Sequence, residues 1–331
     1  MKKQWIKGLT NYSSFKKIYN HYYYSVIYYS ANLCYMNSSI QCLAHLEEFA
    51  HWILNIRPKD NDNLLKETQN LFEEMNNEKE SSVIKIKGEM AKLDKRYERD
   101  DQQDANEFIS LFLNEILLET QDTIDLINSY SQLEGLEKQA FEKLWKRFYL
   151  KKGKSYMVDL FYGILKTETR KINNDELISV NFHMYNMLEL PLYFLDKNCS
   201  NIDLNDILKN FFEKKNNDDG ETYDRTIIYK MPKYLIIFFN RKNDKEYLDI
   251  KINYKFEEDF SAYSPENSGE HKYELCGIIH YNSDTTNYGH YSATCNVGGD
   301  NWYYFNDSVY KEKSKENLNK NEIILFYSKK K

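Results

Sequence analysis

Residues 30–41 read SANLCYMNSSIQ and place a cysteine, Cys34, at the head of a segment with helical spacing. Apolar residues recur three or four positions apart up to Phe49, which predicts a helix over residues 34–49 with Asn32 as its N-cap. The dipole and unpaired amide groups of a helix N-terminus stabilise a thiolate. The stretch therefore predicts a cysteine nucleophile, whereas a buried core position is the expected state of the other candidates, Cys42, Cys276 and Cys295.

A histidine and an amide in the C-terminal part of the chain complete this pattern. Residues 288–291 read YGHY, and residues 302–307 read WYYFND. His290 would act as the base for the cysteine, and an oxygen of Asn306 or Asp307 would accept the imidazole N–H and orient the ring. We favour Asn306 over Asp307; an ordinary Asn-Asp turn at the end of a strand is the alternative explanation. The pattern as a whole predicts a thiol hydrolase.

The same residues resemble the two catalytic boxes of the ubiquitin-specific proteases, a family of papain-like deubiquitinases. A third block, DQQDANEF at residues 101–108, resembles the family's glutamine-glutamine-aspartate box. Weaker similarities follow in the family's order at residues 159–163, 231–235, 273–277 and 324–327. The resemblance covers about residues 26–331, and three boxes in the correct order make it specific.

The resemblance implies an α+β, papain-like cysteine peptidase fold with a helical thumb, an antiparallel β palm and shortened fingers. Residues 1–25 would form an N-terminal arm, residues 26–155 the thumb, and residues 156–331 the fingers and palm. The hydrophobic pattern agrees, because residues 105–117 follow a helical period and the later apolar runs have strand character. Those runs are residues 234–239, 273–280, 291–295, 302–305 and 323–327, with a hairpin signal at residues 298–300.

The activity implied by the resemblance is hydrolysis of the isopeptide or peptide bond after the C-terminal glycine of ubiquitin. Ubiquitin or ubiquitinated proteins would be the partners. The family passes a Gly-Gly tail through a narrow channel. We expect Gly289 to permit close approach of the backbone of that tail, and Gly289 and Tyr291 to bind it. Basic residues of that tail would meet an acidic stretch that includes Asp101 and Asp104, although capping of the following helix is an independent role for Asp104.

Two departures from the family pattern leave rival functions open. Tyr29 stands where the family usually has an asparagine that helps to form the oxyanion hole, so the hydroxyl of Tyr29 or the amide of Asn32 would have to substitute. The first rival is therefore a catalytically impaired ubiquitin-binding scaffold. The second is a thiol protease for another ubiquitin-like modifier, because the shortened fingers weaken the expected grip on the body of ubiquitin.

The second departure concerns metal. The family's two C-x-x-C pairs are absent, with Lys171 and Asn174 at the expected place of the first pair, and we therefore predict neither a metal nor a cofactor. Cys42 and His45 have C-x-x-H spacing, but two ligands alone are weak evidence for a metal site.

Composition narrows the class of protein further. The chain has 331 residues, 41% of them hydrophobic, and a net charge of −6, which gives no reason to expect binding to nucleic acid or to a membrane surface. Five scattered cysteines favour a reducing compartment, and the longest apolar run, residues 234–239, is too short to span a bilayer. We expect an intracellular, monomeric protein in the cytoplasm, the nucleus or both.

Overall fold

The computed structural model describes residues 9–10, 12–20, 23–30, 32–77, 81–121, 133–152, 155–195, 199–241, 247–266, 269–283, 289–315, 318 and 321–330. For residues 10, 12–20, 23–30, 145–152 and 283 it describes the backbone only. The described part of the chain folds into α-helices at α1 Cys34–Ala44, α2 Glu47–Asn55, α3 Asn63–Asn76, α4 Ile84–Leu93, α5 Ala105–Glu119, α6 Gly135–Lys152, α7 Tyr156–Phe161 and α8 Leu204–Phe212.

Its strands are β1 Leu9–Thr10, β2 Tyr12–Asn20, β3 Tyr23–Ser30, β4 Ser81–Ser82, β5 Gly163–Lys171, β6 Leu177–Tyr185, β7 Leu188–Pro191, β8 Asn201–Asp203, β9 Lys215–Asn216, β10 Thr222–Lys230, β11 Tyr234–Asn240, β12 Lys251–Asn253, β13 Glu257–Asp259, β14 Lys272–Ser283, β15 Gly289–Gly298, β16 Asn301–Asn306, β17 Val309–Lys313 and β18 Glu322–Lys329. Helices dominate before residue 155 and strands after it, as the sequence predicts. None of the described helices is long and apolar enough to cross a membrane.

The helix predicted over residues 34–49 is two helices, α1 and α2, and this part of the prediction is wrong. The break falls at His45 and Leu46. The carbonyl oxygen of Gln41 accepts the backbone N–H of His45 at 3.3 Å, and the Nδ1 atom of His45 lies 2.7 Å from the same oxygen. The backbone N–H of Leu46 bonds the carbonyl oxygen of Leu43, three residues back, at 3.1 Å, so the α-helical pattern ends here.

The chain divides into two compact units. Unit 1 comprises residues 1–119 and 276–325, and unit 2 comprises residues 120–275 and 326–331. Strands β14 and β18 run across these divisions. A two-stranded ribbon of β2 and β3 spans the predicted end of the N-terminal arm at residue 25, and β1 pairs in parallel with β4.

The core of unit 1 surrounds α1, all eleven residues of which are buried. One side of α1 packs against β15 and another against α5, whose buried face has the predicted helical period. Tyr35 of α1 contacts the rings of Tyr97 and Phe108, with centroids 6.3 and 5.9 Å apart. Because α1 has no solvent face, its N-terminal residue is held in a fixed position by apolar packing.

The strands of unit 1 are ordered β17, β16, β15, β14, β18. The pair β15–β16 is antiparallel and joined at residues 298–300, so the predicted hairpin is confirmed. In its register Ala293 faces Phe305. The beginning of β15, with His290, and the end of β16, with Asn306, therefore lie at the same end of the hairpin.

Unit 2 contains a four-stranded sheet in the order β6, β5, β10, β9, together with a parallel pair of β12 and β8 and a parallel pair of β11 and β7. The four-stranded sheet occupies the part of the chain predicted as the fingers. At its hairpin end, the ammonium of Lys171 lies 2.8 Å from the carboxylate of Glu176, and the hydroxyl of Tyr223 donates to Asp175. Side-chain contacts thus connect this hairpin to β10 where the sequence lacks the family's cysteines.

Candidate active site

The N-terminus of α1 carries Cys34, which is 3% exposed. The residue that precedes the helix is Leu33, not Asn32, so the predicted capping position was wrong by one residue. Asn32 adopts a positive φ of 48°, a conformation that asparagine tolerates better than most residues. The backbone N–H groups of the first helical turn have no acceptor within the helix, and the N–H of Cys34 is one of them.

His290 lies between the other two members of the predicted triad. Its Nε2–H donates to the Oδ1 atom of Asn306 at 2.5 Å, and its ring also hydrogen-bonds the side chain of Cys34. The hydrogen bond with Cys34 is the main cause that raises the pKa of His290 to about 9; burial opposes this rise, and the bond to Asn306 supports it. At neutral pH the imidazole therefore favours its protonated form beside the sulfur, an arrangement suited to a thiolate–imidazolium pair.

Asn306 and Asp307 occupy different positions. The backbone of Asp307 has a positive φ of 50° in the turn that leads to β17, and its Oδ1 atom accepts a hydrogen bond from Nδ2 of Asn37 at 2.7 Å. Asp307 also contributes, more weakly, to the raised pKa of His290 through its charge. The structure thus places Asn306 against the imidazole and Asp307 against the helix that carries Cys34.

The segment before α5 contacts the residues on both sides of His290. The backbone N–H of Gly289 donates to Oε1 of Gln102 at 3.1 Å, and the hydroxyl of Tyr291 donates to Oδ1 of Asp104, also at 3.1 Å. Tyr291 is buried, and burial together with the charge of Asp104 raises the pKa of its hydroxyl well above the usual range. The hydroxyl therefore remains protonated and acts as a donor to Asp104.

From the sequence, Gln102 is expected to brace a loop rather than to do chemistry, and its contact with Gly289 is of that kind, although the partner could not be predicted. Its role depends on a backbone N–H that is nearly two hundred residues away, and no local pattern reports such a contact. The one available signal is its place in the DQQDANEF block, two residues before Asp104.

Gly289 is expected to permit close approach of the substrate tail, but the described residues give a different reason for the glycine. A Cβ atom at residue 289 would collide with the ring of Tyr281 on the adjacent strand β14. That ring also packs against Tyr291, with centroids 4.7 Å apart. Gly289 therefore provides room for Tyr281, and its contact with substrate stays a prediction.

The remaining predicted site residues are distributed as follows. Asp101 is exposed. Nδ2 of Asn32 donates to the main-chain oxygen of Asp100 at 2.6 Å. Tyr29 lies in β3, for which only the backbone is described, so the predicted role of its hydroxyl falls outside the described side chains.

The other buried cysteines of unit 1, Cys42 and Cys295, lie beside each other. The sulfur atoms of Cys42 and Cys295 are 3.7 Å apart, and Cys42 also faces the carbonyl oxygen of Ile278. Burial, followed by the hydrogen bond with Cys295, raises the pKa of the Cys42 thiol well above its ordinary value. Such a thiol is a poor nucleophile and a poor metal ligand.

The fold is of the papain-like cysteine peptidase type, with helices and antiparallel strands as predicted. The model of the ubiquitin carboxyl-terminal hydrolase family matches residues 29–327, which is most of the chain. The chain therefore belongs to the ubiquitin carboxyl-terminal hydrolase family, and the resemblance to the ubiquitin-specific proteases is confirmed.

Known relatives carry the same description. The chain is 26% identical over 329 residues to the Drosophila melanogaster protein "Ubiquitin carboxyl-terminal hydrolase Usp2", covering 90% of this chain and 34% of the relative. It is 24% identical over 329 residues to human "Ubiquitin carboxyl-terminal hydrolase 2", covering 89% of this chain and 53% of the relative. The chain thus spans between a third and about half of the length of these curated relatives.

Solved structures support the fold. A SAGA DUB module of Ubp8, Sgf11, Sus1 and Sgf73 bound to monoubiquitin is similar with a TM-score of 0.75 and 20% identity, covering 99% of this chain and 70% of that chain. The Ubp8 module bound to ubiquitin aldehyde has a TM-score of 0.73 at 20% identity, with the same coverage. At this level of identity the similarity shows a shared fold.

Proposed function

We propose that this chain is a thiol-dependent deubiquitinase that cleaves the bond after the C-terminal glycine of ubiquitin. The observation that carries the proposal is the position of His290, which hydrogen-bonds the side chain of Cys34 and donates from Nε2 to Asn306. A nucleophile, a base and an orienting amide in this order are the minimum set for acyl transfer by a cysteine.

The chemistry follows from the position of the imidazole of His290 beside the sulfur of Cys34. The Cys34 thiolate attacks the carbonyl carbon of the terminal glycine, and the backbone N–H at the start of α1 is available to the developing oxyanion. The imidazolium of His290 then gives its proton to the departing lysine amine or α-amine, which leaves a thioester on Cys34. Neutral His290 next removes one proton from water, the hydroxide attacks the thioester, and the intermediate collapses to the ubiquitin carboxylate and the Cys34 thiolate beside the imidazolium, with the second proton of the water passing to the solvent. Asn306 keeps the ring oriented throughout.

Ubiquitin as the substrate is supported by membership of the family and by the names of the relatives. A similar Ubp8 module has been solved with monoubiquitin bound. Within this chain, the exposed carboxylate of Asp101 is available to a basic tail, whereas the Asp104 carboxylate already accepts from Tyr291. We therefore expect Asp101 to contribute to recognition of the tail through charge-assisted hydrogen bonds.

The test is single-turnover cleavage of a ubiquitin C-terminal fluorogenic amide by the wild-type chain, Cys34→Ala and Cys42→Ala. Cys42→Ala is the matched control, since Cys42 lies on the same helix and contacts Cys295 and the carbonyl oxygen of Ile278. We expect cleavage by the wild type and by Cys42→Ala, and none by Cys34→Ala. Wild-type turnover no faster than that of Cys34→Ala would refute the enzyme and favour a ubiquitin-binding scaffold.

The identity of the modifier is tested separately. The same fluorogenic group on other ubiquitin-like proteins should be released more slowly than from ubiquitin. Preferential cleavage of another modifier would keep the thiol mechanism but overturn the proposed substrate.

A further inference from the structure

A buried lysine, Lys87, is connected through Asp100 to the turn that leads to Cys34. Lys87 on α4 has a side chain only 8% exposed, and its ammonium forms an ion pair with the carboxylate of Asp100, which is 52% exposed. Burying an ammonium is unfavourable unless a partner compensates for the lost hydration. The partner here belongs to the irregular segment between the short 3₁₀ helix Lys95–Glu98 and α5, so the ion pair fixes a stretch of chain that no helix or strand holds.

Asp100 makes a second contact through its backbone. Its carbonyl oxygen accepts the hydrogen bond from Nδ2 of Asn32 at 2.6 Å. Asn32 is two residues before Cys34 and has the positive φ of 48° noted above. A left-handed backbone is unfavourable for most residues, and a specific side-chain hydrogen bond is a way to maintain it.

The same segment also contacts β15, the strand that carries the predicted base His290. Two and four residues after Asp100, Gln102 accepts from the backbone of Gly289 and Asp104 accepts from the hydroxyl of Tyr291. Residues 100–104 therefore contact the turn before Cys34 at one end and both neighbours of His290 at the other. We call residues 100–104 the bracing segment.

We propose that Lys87, Asp100 and Asn32 are positioning residues for the nucleophile. Lys87 fixes Asp100 within the bracing segment, Asp100 holds the amide of Asn32, and Asn32 sets the backbone of the turn that presents the N–H of Cys34. Since Tyr29 replaces the family's usual oxyanion residue, the placement of this N–H carries more of the transition-state stabilisation. The inference rests on the proposed function and extends it to three residues outside the triad.

The central test is a double-mutant cycle of Lys87→Met and Asn32→Gly. Methionine keeps the apolar stem of Lys87 while leaving a half-exposed carboxylate that water can solvate. Glycine keeps the left-handed backbone of residue 32 but removes the amide donor. Lys92→Met is the control, because Lys92 lies on the same helix in an exposed pair with Glu89.

The readouts separate positioning from folding. One is kcat and KM for a ubiquitin C-terminal fluorogenic amide. A second is the rate at which iodoacetamide alkylates Cys34, followed by mass spectrometry of the peptide, since alkylation needs the thiolate but no oxyanion donor. Thermal unfolding of each variant reports on the fold.

We expect Lys87→Met and Asn32→Gly each to lower kcat by about tenfold to 100-fold, the range for a small misplacement at a reacting centre. KM and the alkylation rate should stay within about twofold of wild type, and the double variant should be no slower than the slower single one. Lys92→Met should match wild type.

Three results would overturn the inference: wild-type kcat in folded Lys87→Met, kcat effects that multiply in the double variant, or kcat and alkylation falling together with thermal stability. A wild-type chain that does not cleave at all would instead refute the proposed function, so the two failures are distinguishable.

Discussion

Two places in the molecule enclose a charged group, and they do so in opposite ways. In unit 1 the imidazole of His290 has one amide partner, Asn306, and one reactive partner, Cys34. In unit 2 the ammonium of Lys166, 2% exposed, has three carboxylate partners: Glu137 at 2.6 Å, Glu266 at 2.7 Å and Glu168 at 2.9 Å. The imidazolium of His290 can therefore transfer a proton to a reacting group. The ammonium of Lys166 cannot, because its three carboxylate partners hold it in its charged form.

The pKa values express the same difference. Burial acts to lower the pKa of Lys166, but the hydrogen bonds from the three glutamates outweigh it and raise the pKa above its ordinary value. Among the described residues, the carboxylate oxygens of these three glutamates lie close enough together to bind a metal ion. The ammonium of Lys166 contacts all three of them. The ion pairs of Lys166 with three glutamates therefore suit a structural role. A pKa of about 9 allows His290 to give up and take back a proton during a reaction near neutral pH.

Removing the lysine should have the largest effect of the changes considered. Lys166→Met leaves three neighbouring carboxylates without their cation, and breaking a buried pair in this way costs about 3 kcal/mol of unfolding free energy. Urea denaturation measures the loss, and hydrogen–deuterium exchange of residues 163–171 localises it to unit 2. The control is Lys209→Met, in an exposed pair with Asp206, for which about 0.3 kcal/mol is expected. Equal losses in the two variants would contradict the structural role of the cluster.

A substitution at the orienting amide should act on chemistry instead. Asn306→Ala removes the acceptor of the imidazole N–H, and we expect kcat to fall by about 10- to 100-fold without a change in unfolding free energy as large as that of Lys166→Met. The bond to Asn306 also helps to raise the pKa of His290, so wild-type activity should decline as the pH rises through about 9. In Asn306→Ala that decline should begin at a lower pH. An unchanged alkaline limb in the kcat/KM profile would show that Asn306 does not act on His290.

The smallest effect is expected at another buried histidine, His271. His271 in unit 2 is 5% exposed, and neither ring nitrogen has a hydrogen-bond partner among the described residues. Burial and the charge of Lys329 lower its pKa, while Asp259 opposes them weakly. The unfolded chain therefore binds the proton more readily, so stability should fall as the pH drops below about 6.5, by less than about 1.4 kcal/mol per pH unit.

The matched variant for this prediction is His271→Phe, which should lose the acid dependence and keep the stability measured at pH 8. A series of urea denaturations between pH 5 and pH 8 is the measurement. Equal slopes in wild type and His271→Phe would exclude His271 as the source.

The sequence was informative where a function depends on a short motif. Cys34, His290 and Asn306 each lie in a compact block, and the antiparallel hairpin that brings the last two together has a local glycine signal. The contacts of the bracing segment could not be predicted from the sequence, because the amide of Asn32 and the side chain of Gln102 bind backbone atoms that only the tertiary fold brings near them. Gly289 illustrates the limit most clearly: the sequence shows that a side chain is missing, but the Tyr281 ring that fills its space appears only in the structure.

The hydrogen bond between Asn37 and Asp307 has a consequence for how the site responds to chemical damage. It ties α1 to the turn after β16 at 2.7 Å, one residue beyond Asn306, without involving the reactive atoms of the triad. Alkylation of Cys34 or replacement of His290 abolishes the reaction but does not remove this hydrogen bond between α1 and the turn after β16. Loss of activity and loss of the structure around the site are therefore separable, and a His290→Ala chain would be a natural starting point for a substrate trap.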